Sequence, residues 1–353
     1  MQEYGVIRNF KKYTMKVLLF DTTNSFLTPG GKTTHALKLR QALSKLGVDI
    51  EFSRWWDESQ SDCDIIHFLA PDVRTARNAK LYKKKTVINL IFDGESSKPL
   101  WQQRVNSLKY KLIGCIPIKE KLYWRSFPYF DRFIFMHRFD RDAALRYFPQ
   151  IDKNKTTIIP HAYDPEDMFV SDDLNIAAYN LPEQYLVSCA NIIPRKQSVL
   201  LAQYAKKAQV PVVFIGKGNP DDSYFQAFIS EIDNRYVFYP GYMGKEWKDC
   251  IVQHASGFIL LSTGESGCIA VYEAAAYKMP LLLSDLPWAW GYEAAKDISF
   301  CDFRNKNRAV QQIKDFYARS GRLNDFPFKA HSWDDVAVKY RDVYLELMFP
   351  KSV

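Results

Sequence analysis

None of the six cysteines (Cys63, Cys115, Cys189, Cys250, Cys268, Cys301) stands in a C-x-x-C pair. Scattered in this way they argue against a zinc site and a disulfide framework, and for a reducing, cytoplasmic compartment. No apolar run approaches the roughly 18 residues that a membrane-crossing helix needs. The opening stretch MQEYGVIRNFKKYTMKVLLF has no apolar core followed by a small-residue cleavage site, so no secretory signal is expected there. Low-complexity runs are missing too. With 47% hydrophobic and 25% charged residues the proportions are globular, which excludes disorder and collagen. What is present is length and positive charge. At about 150 residues per domain, the 353 residues suggest two domains. A net charge of +8 with 15% aromatics leaves nucleic acid, a membrane surface or a phosphorylated small molecule as partners.

The first half alternates strands and helices. MKVLLFDT (15–22), VDIEFS (48–53), DIIHFLA (64–70), TVINLIF (86–92) and RFIFMH (132–137) are short apolar runs, the mark of buried strands. Between the first two, Ala36, Leu37, Leu39, Leu43 and Leu46 recur at helical spacing before Gly47. Residues 156–169 lead into an acidic connection, SDDLNIAAYNLPEQ. A second alternation follows: QYLVSCA (184–190), PVVFIG (211–216), RYVFYPG (235–241), GFILLS (257–262), MPLLLSD (279–285) and DISFCDF (297–303). An amphipathic helix capped by Ser332 is expected over Trp333 to Leu347. This pattern predicts an α/β chain of two doubly wound parallel sheets. The expected division is residues 1–165, residues 166–332 and a closing segment, 333–353. Ligands of such sheets bind beyond the carboxyl ends of the strands, so the cleft between the units is the default site.

Familiar nucleotide motifs are only partly met. In SFLTPGGKTTH (25–35), Gly31-Lys32-Thr33 reproduces the end of a P-loop, but Phe26 stands where that motif requires glycine. Asp93 in LIFDGE (90–95) offers a Walker-B-like carboxylate, so a P-loop phosphotransferase remains a rival. Gly30-Gly31 would let ligand oxygens approach a helix N-terminus, where N–H groups and the dipole attract anions. A glycine turn needed only for chain reversal explains the pair equally well. G-x-G-x-x-G is absent from both PGGKTTHAL and GKGNPDD (216–222), although Glu51 lies near the ribose-binding spacing. Asp140-Arg141-Asp142 and Asp62-Cys63-Asp64 spell D-x-D, a metal-nucleotide motif. The first reads more simply as acids at a helix start and the second as a polar strand boundary, so neither is taken as a metal site.

The most informative segment is GFILLSTGESGCIAVYEAAAYKMPLLLSD (257–285). Its strand ends at Ser262, a short turn carries Glu265, and a small-residue helix begins near Gly267. Glu273 falls inside AVYEAAA, a stretch too apolar for a surface helix, where a carboxylate needs a hydrogen-bonding partner or a ligand. One carboxylate on the loop and another two turns into the helix, with free N–H groups between, suit a phosphorylated polyol. Arg195 and Lys196 in NIIPRKQSVLLAQYAKKA (191–208) sit at a predicted helix start. Cations there oppose the helix dipole, and a bound diphosphate would explain them. A solvated surface pair is the plainer alternative.

With these residues in place, the chain resembles the family 4 retaining glycosyltransferases. GESGCIAVYEAAA matches their E-x7-E signature, with Glu265 and Glu273 at the glutamate positions. Gly30-Gly31, IIPHAYDPEDMF, NIIPRK, FIGKGNP, VFYPGYM and the Trp333 helix follow in the family's order. The resemblance implies a GT-B fold: two Rossmann-like domains, the first for the acceptor and the second for a nucleotide sugar, with the last helix returning to the first. It implies transfer from a UDP- or GDP-sugar to a glycan or lipid-linked glycan, with retention and with neither metal nor resident cofactor. Such work belongs to polysaccharide biosynthesis. By position Lys196, with Arg195, would meet the diphosphate, Glu265 the sugar and Glu273 the ribose. Ser266, Gly267, Cys268, Ile269, Asn191, Gly30 and Gly31 would line the donor, and Asp93 and His137 are candidates for sugar or acceptor contact.

There are departures from the family pattern. Ala190-Asn191 replaces the usual Gly-Arg, which keeps a non-catalytic nucleotide-sugar or glycan binder in play. Glu265-Ser266-Gly267-Cys268 replaces E-x-F-G, Phe92 and Asp93 occupy the place of a histidine, and His161 replaces an asparagine, where packing is expected. The positive charge is also uneven. Residues 1–160 hold 28 basic and 16 acidic residues, net +12, whereas 161–353 hold 20 and 24, net −4. Much of the excess lies within 83–133, where Lys and Arg alternate with Tyr110, Tyr123, Trp124, Phe127, Tyr129 and Phe130. That segment suits an anionic membrane surface, or else a solvated face with its aromatics turned inward. No nucleic-acid-binding module is present, so nucleic acid is not expected as a partner.

Overall fold

The structure, a computed structural model, describes residues 15–22, 30–114, 122–163, 179–292, 297–328 and 330–350. Its first unit holds six parallel strands: β1 (Lys16–Phe20), β2 (Asp49–Phe52), β3 (Ile65–Phe68), β4 (Lys85–Asn89), β5 (Arg132–Phe135) and β6 (Thr156–Ile158). They lie in the order β2-β1-β3-β4-β5-β6. Around them run α1 (Gly31–Lys45), α2 (Val73–Leu81), α3 (Asp93–Ser96), α4 (Leu100–Gly114) and α5 (Arg138–Tyr147).

The second unit repeats the plan. Strands β7 (Leu186–Cys189), β8 (Val212–Ile215), β9 (Val237–Gly241), β10 (Gly257–Leu260), β11 (Leu281–Ser284) and β12 (Ile298–Cys301) are parallel, in the order β12-β11-β10-β7-β8-β9. Helices α6 (Ser198–Ala208), α7 (Ser223–Ile229), α8 (Lys245–His254), α9 (Ile269–Ala276) and α10 (Lys306–Ala318) cover them, and α11 (Trp333–Met348) closes the chain. Every residue of β8, β10 and β11 is buried, which is why these strands read as unbroken apolar runs.

The last helix belongs to the first core. Ser332 Oγ accepts the Asp335 N–H at 3.0 Å, and Asp335 Oδ2 accepts the Ser332 N–H at 3.2 Å, a capping box that fixes where α11 begins. Its buried stripe of Trp333, Val336, Ala337, Tyr340, Val343 and Tyr344 packs in the cluster of Leu39, Leu43, Ile50 and Val87. At the crossing between units the Tyr163 N–H donates to the His331 carbonyl at 2.9 Å.

That same core buries three histidines. His35 Nδ1 and His161 Nδ1 lie 3.4 Å apart, and the Asn89 side-chain amide reaches His35 Nε2 at 3.1 Å. His67 Nδ1 meets the Tyr344 hydroxyl at 2.6 Å. Burial lowers all three from the ordinary histidine value, His67 to about 4 and His161 to about 3, so the cluster is neutral near pH 7.

The aromatic residues of 123–130 turn inward. Phe127 and Phe130 are buried, Trp124 stacks on Phe148, and Tyr110 and Tyr123 meet that ring edge-on. Their rings therefore build core rather than an outer surface. The exposed apolar residues nearby are on α4 instead.

Candidate active site

The loop between β10 and α9 is stapled from three sides. The Ser262 carbonyl accepts Ser284 Oγ at 2.6 Å and the Trp288 indole N–H at 3.0 Å. The Thr263 N–H donates to the Arg195 carbonyl at 2.9 Å, and Arg195 Nη1 donates to the Gly264 carbonyl at 2.5 Å. These bonds hold Glu265 in place while its side chain is buried.

Glu265 Oε1 takes two cations, Lys196 Nζ at 2.6 Å and Arg195 Nη1 at 2.8 Å. Burial by itself would raise this carboxyl, but the two positive charges outweigh it and hold the group below the usual glutamate range. Arg195 and Lys196 do not open α6 as the sequence suggested. They sit on a 3-10 turn over Pro194–Lys196, and Gln197, in the left-handed region at φ 54°, separates that turn from the helix. The turn aims both side chains back at the β10–α9 loop.

Glu273 lies two turns further on, inside α9, and its carboxylate pairs with Lys248 of α8 at 2.9 Å. Lys248 also reaches Asp249 at 3.2 Å. Burial disfavours the ammonium, but Glu273 and Asp249 prevail and raise its pKa. Cys268 is the N-cap of α9 with no side-chain cap bond, so the first N–H groups of that helix have no cap there. Across the cleft, Gly30 is the N-cap of α1, likewise without a side-chain cap bond. Gly30 has φ −173°, an extended conformation open to any residue, and a Cβ there would meet no atom of the described residues within 4 Å. A Cβ on Gly31 would make only an ordinary 3.6 Å contact with Ile269 Cδ1. Neither backbone strain nor crowding by the described atoms calls for glycine here.

The first unit supplies the other wall. Ser266 Oγ donates to Asp140 Oδ2 at 2.5 Å, and Asp140 is buried in the first turn of α5. A Cβ on Gly267 would come 2.8 Å from Met136 Sδ, and one on Gly291 would come 2.5 Å from His137 Nδ1. His137 is buried against Tyr292, and burial lowers it to about 4. It is thus part of the contact between units. His161 packs among His35, Tyr272 and Trp333, as expected of a packing residue. Asn191 is exposed just past β7. Asp93 opens α3, and its side chain lies outside the described structure. Lys32 is held by Asp21 at 2.7 Å at the end of β1. Among the described residues, no group of three or more His, Cys, Asp or Glu is placed to hold a metal ion.

Beyond α5 the units enclose a cavity of about 500 Å³. Phe139, Trp290 and Leu100 give it an apolar wall, and Lys98, Arg146 and Arg304 give it charge. Trp290 is held there by an indole N–H bond to Asp285 at 3.0 Å. Sequence reasoning missed Asp140 as a site residue, and also Lys248 and Trp290. The D-x-D spelling was the only signal for the first, and the other two had none.

Residues 172–327 match the model of the family described as glycosyl transferases group 1. A comparison of the sequence with curated proteins finds no match. Among solved structures the chain is similar to sucrose-phosphate synthase (tll1590) from Thermosynechococcus elongatus, with TM-score 0.69 and 13% identity, covering 95% of this chain and 99% of that one. It is similar to Anabaena Alr3699/HepE in complex with UDP and glucose, with TM-score 0.64 and 14% identity over 94% and 96% of the two chains. Trehalose-6-phosphate synthase OtsA aligns with TM-score 0.63 and 11% identity over 95% and 98%. The whole chain therefore has the GT-B fold, and its second unit matches glycosyl transferases group 1 in sequence.

Proposed function

We propose that the protein is a retaining, metal-independent glycosyltransferase of family 4 type. It moves a sugar from a UDP- or GDP-sugar to a hydroxyl of a glycan or lipid-linked glycan. The observation that carries this reading is the cluster of buried Glu265 with part-buried Lys196 and Arg195, facing the uncapped start of α9. Two cations against one carboxylate leave one positive charge in excess, and helix N–H groups add to it. That is the field a departing diphosphate requires.

In this reading the anomeric C–O bond to the diphosphate breaks and the acceptor oxygen bonds to the same face of the sugar. The acceptor proton passes to the leaving phosphate oxygen. Glu265 orients sugar hydroxyls and holds Lys196, and Glu273 takes the ribose. Gly30 and Gly31 leave room for the donor beside Ile269; that nothing among the described residues requires glycine at either position supports this role. The second unit's sequence match and the UDP–glucose complex of a structural neighbour support a nucleotide-sugar donor.

A second reading, nucleotide-sugar binding without turnover, is favoured by Asn191 standing exposed where a diphosphate-binding arginine is usual. A thermal-shift panel of UDP-, GDP- and ADP-sugars tests donor binding, because a ligand stabilises the native state it binds. Product analysis on the stabilising donor then separates the readings. Absence of a shift with every donor would remove the donor site.

A further inference from the structure

Helix α4 is amphipathic the wrong way round. A surface helix normally buries its apolar stripe and exposes its polar one. Here Gln103 and Ser107 are buried, while Trp101, Leu108 and Leu112 are 68%, 59% and 71% exposed. At 3.6 residues per turn Trp101, Val105, Leu108 and Leu112 fall within about 60° of one another, forming a stripe about 16 Å long.

The orientation is locked from inside. Gln103 Nε2 donates to the Ser96 and Lys98 carbonyls at 3.1 and 2.8 Å. Its Oε1 takes Arg146, and Asn106 Nδ2 donates to Glu95 at 3.1 Å. Rolling the helix to bury the stripe would break all of these. The apolar face is therefore a built surface, and such surfaces mark contact sites.

We propose that this face of α4 docks in the plane of an anionic lipid bilayer. Charge selects that partner. The helix LWQQRVNSLKYKLIG has three cations and no acid. On the helical wheel Arg104 and Lys111 flank the stripe on one side and Lys109 on the other, all exposed. Cations at both margins of an apolar stripe can reach lipid phosphates while the stripe enters the acyl boundary. The surrounding half of the chain, residues 1–160, carries net +12. No helix among the described residues is long and apolar enough to cross a membrane, so the contact is peripheral. Leu100, at the head of α4, lines the cavity between the units, which would bring that cavity to the bilayer surface.

The test is flotation of the full chain with vesicles of phosphatidylcholine alone or with phosphatidylglycerol, read beside sedimentation equilibrium. Wild type is expected to float with the anionic vesicles and not the neutral ones. Leu108→Glu with Leu112→Glu should abolish flotation, and Arg104→Ala with Lys109→Ala should weaken it roughly fivefold per cation. All four positions are exposed, so both variants should keep the wild-type urea midpoint. They should also keep the nucleotide-sugar thermal shift, so failure of docking is distinguishable from failure of the donor site. Flotation equal on neutral vesicles, or unchanged in both variants, would overturn the proposal. So would a dimer that dissociates in the Leu108→Glu, Leu112→Glu variant without vesicle binding, which would assign the face to a second copy of the chain.

Discussion

Ser266 and Asp140 join the two units through a single 2.5 Å hydrogen bond between a serine hydroxyl and a buried carboxylate. One end sits on the loop that carries Glu265, the other in the first turn of α5. The position of the Glu265 loop is therefore tied to the first unit.

Removing that donor should be costly. Hydrogen bonds to charged groups contribute about 1.5–3 kcal/mol, and a buried carboxylate that loses one is further penalised. Ser266→Ala is expected to lower the unfolding free energy by that amount, read by urea titration. It should also raise the donor KM more than it lowers kcat, because the loop stays chemically intact but loses its anchor.

The paired charges of the site predict a split between two substitutions. Lys196→Ala removes a cation that a leaving diphosphate would need, and loss of one such stabilising group lowers kcat by about 10²–10³. Glu265→Gln should abolish transfer while leaving the fold cooperative by circular dichroism. Near-normal turnover in both variants would refute the site.

Glu265 also predicts a pH dependence. Its carboxyl is held below the usual value, so its charge-dependent contribution is fully present above about pH 4.5 and is lost as pH falls through the lowered native value. The difference in urea midpoint between wild type and Glu265→Gln should be flat from pH 8 to about 5.5 and change only below about 4.5.

The buried histidines act over a different range. They are neutral in the folded chain and have an ordinary value of 6.5. Below pH 6.5 the unfolded chain binds protons that the native chain excludes, so stability falls by about 1.4 kcal/mol per pH unit for each such histidine. His67→Gln should reduce that slope between pH 6 and 4.5 by the share of one group. An unchanged slope would show that His67 titrates normally in the native state.

Trp290 tests whether the cavity between the units takes the acceptor of the proposed transfer. Its ring offers an apolar face for a sugar ring, and loss of about 1.4 kcal/mol of binding is a tenfold change. Trp290→Ala is expected to raise acceptor KM about tenfold, with donor KM held within about twofold.

The sheets were legible because parallel strands buried on both faces leave continuous apolar runs, as at Phe258–Leu260 and Leu281–Leu283. Strand β6 was not, since three residues with no buried side chain at an edge leave no such run. Glu265 on a loop and Glu273 inside a helix were legible too, and the structure brings Glu265 to Lys196 and Arg195. The partners of Ser266 and Glu273 were hidden for a different reason. Asp140 meets Ser266 across 126 positions and Glu273 meets Lys248 across 25, and no local periodicity encodes such pairs. Nor did composition reveal which aromatics face out: Tyr123 and Trp124 turn inward, whereas Trp101 on α4 does not.

Gly291 places the α-carbon of one unit so close to His137 of the other that a single methyl group would lie 2.5 Å from the imidazole. Unlike the sulfur tip facing Gly267, that ring is buried and has little room to yield. The close approach of the two units at this point is thus permitted by a missing side chain. Gly291→Ala would act as a wedge, holding the halves apart without touching Glu265, Lys196 or Arg195, and would turn the approach of the two units into an adjustable dimension.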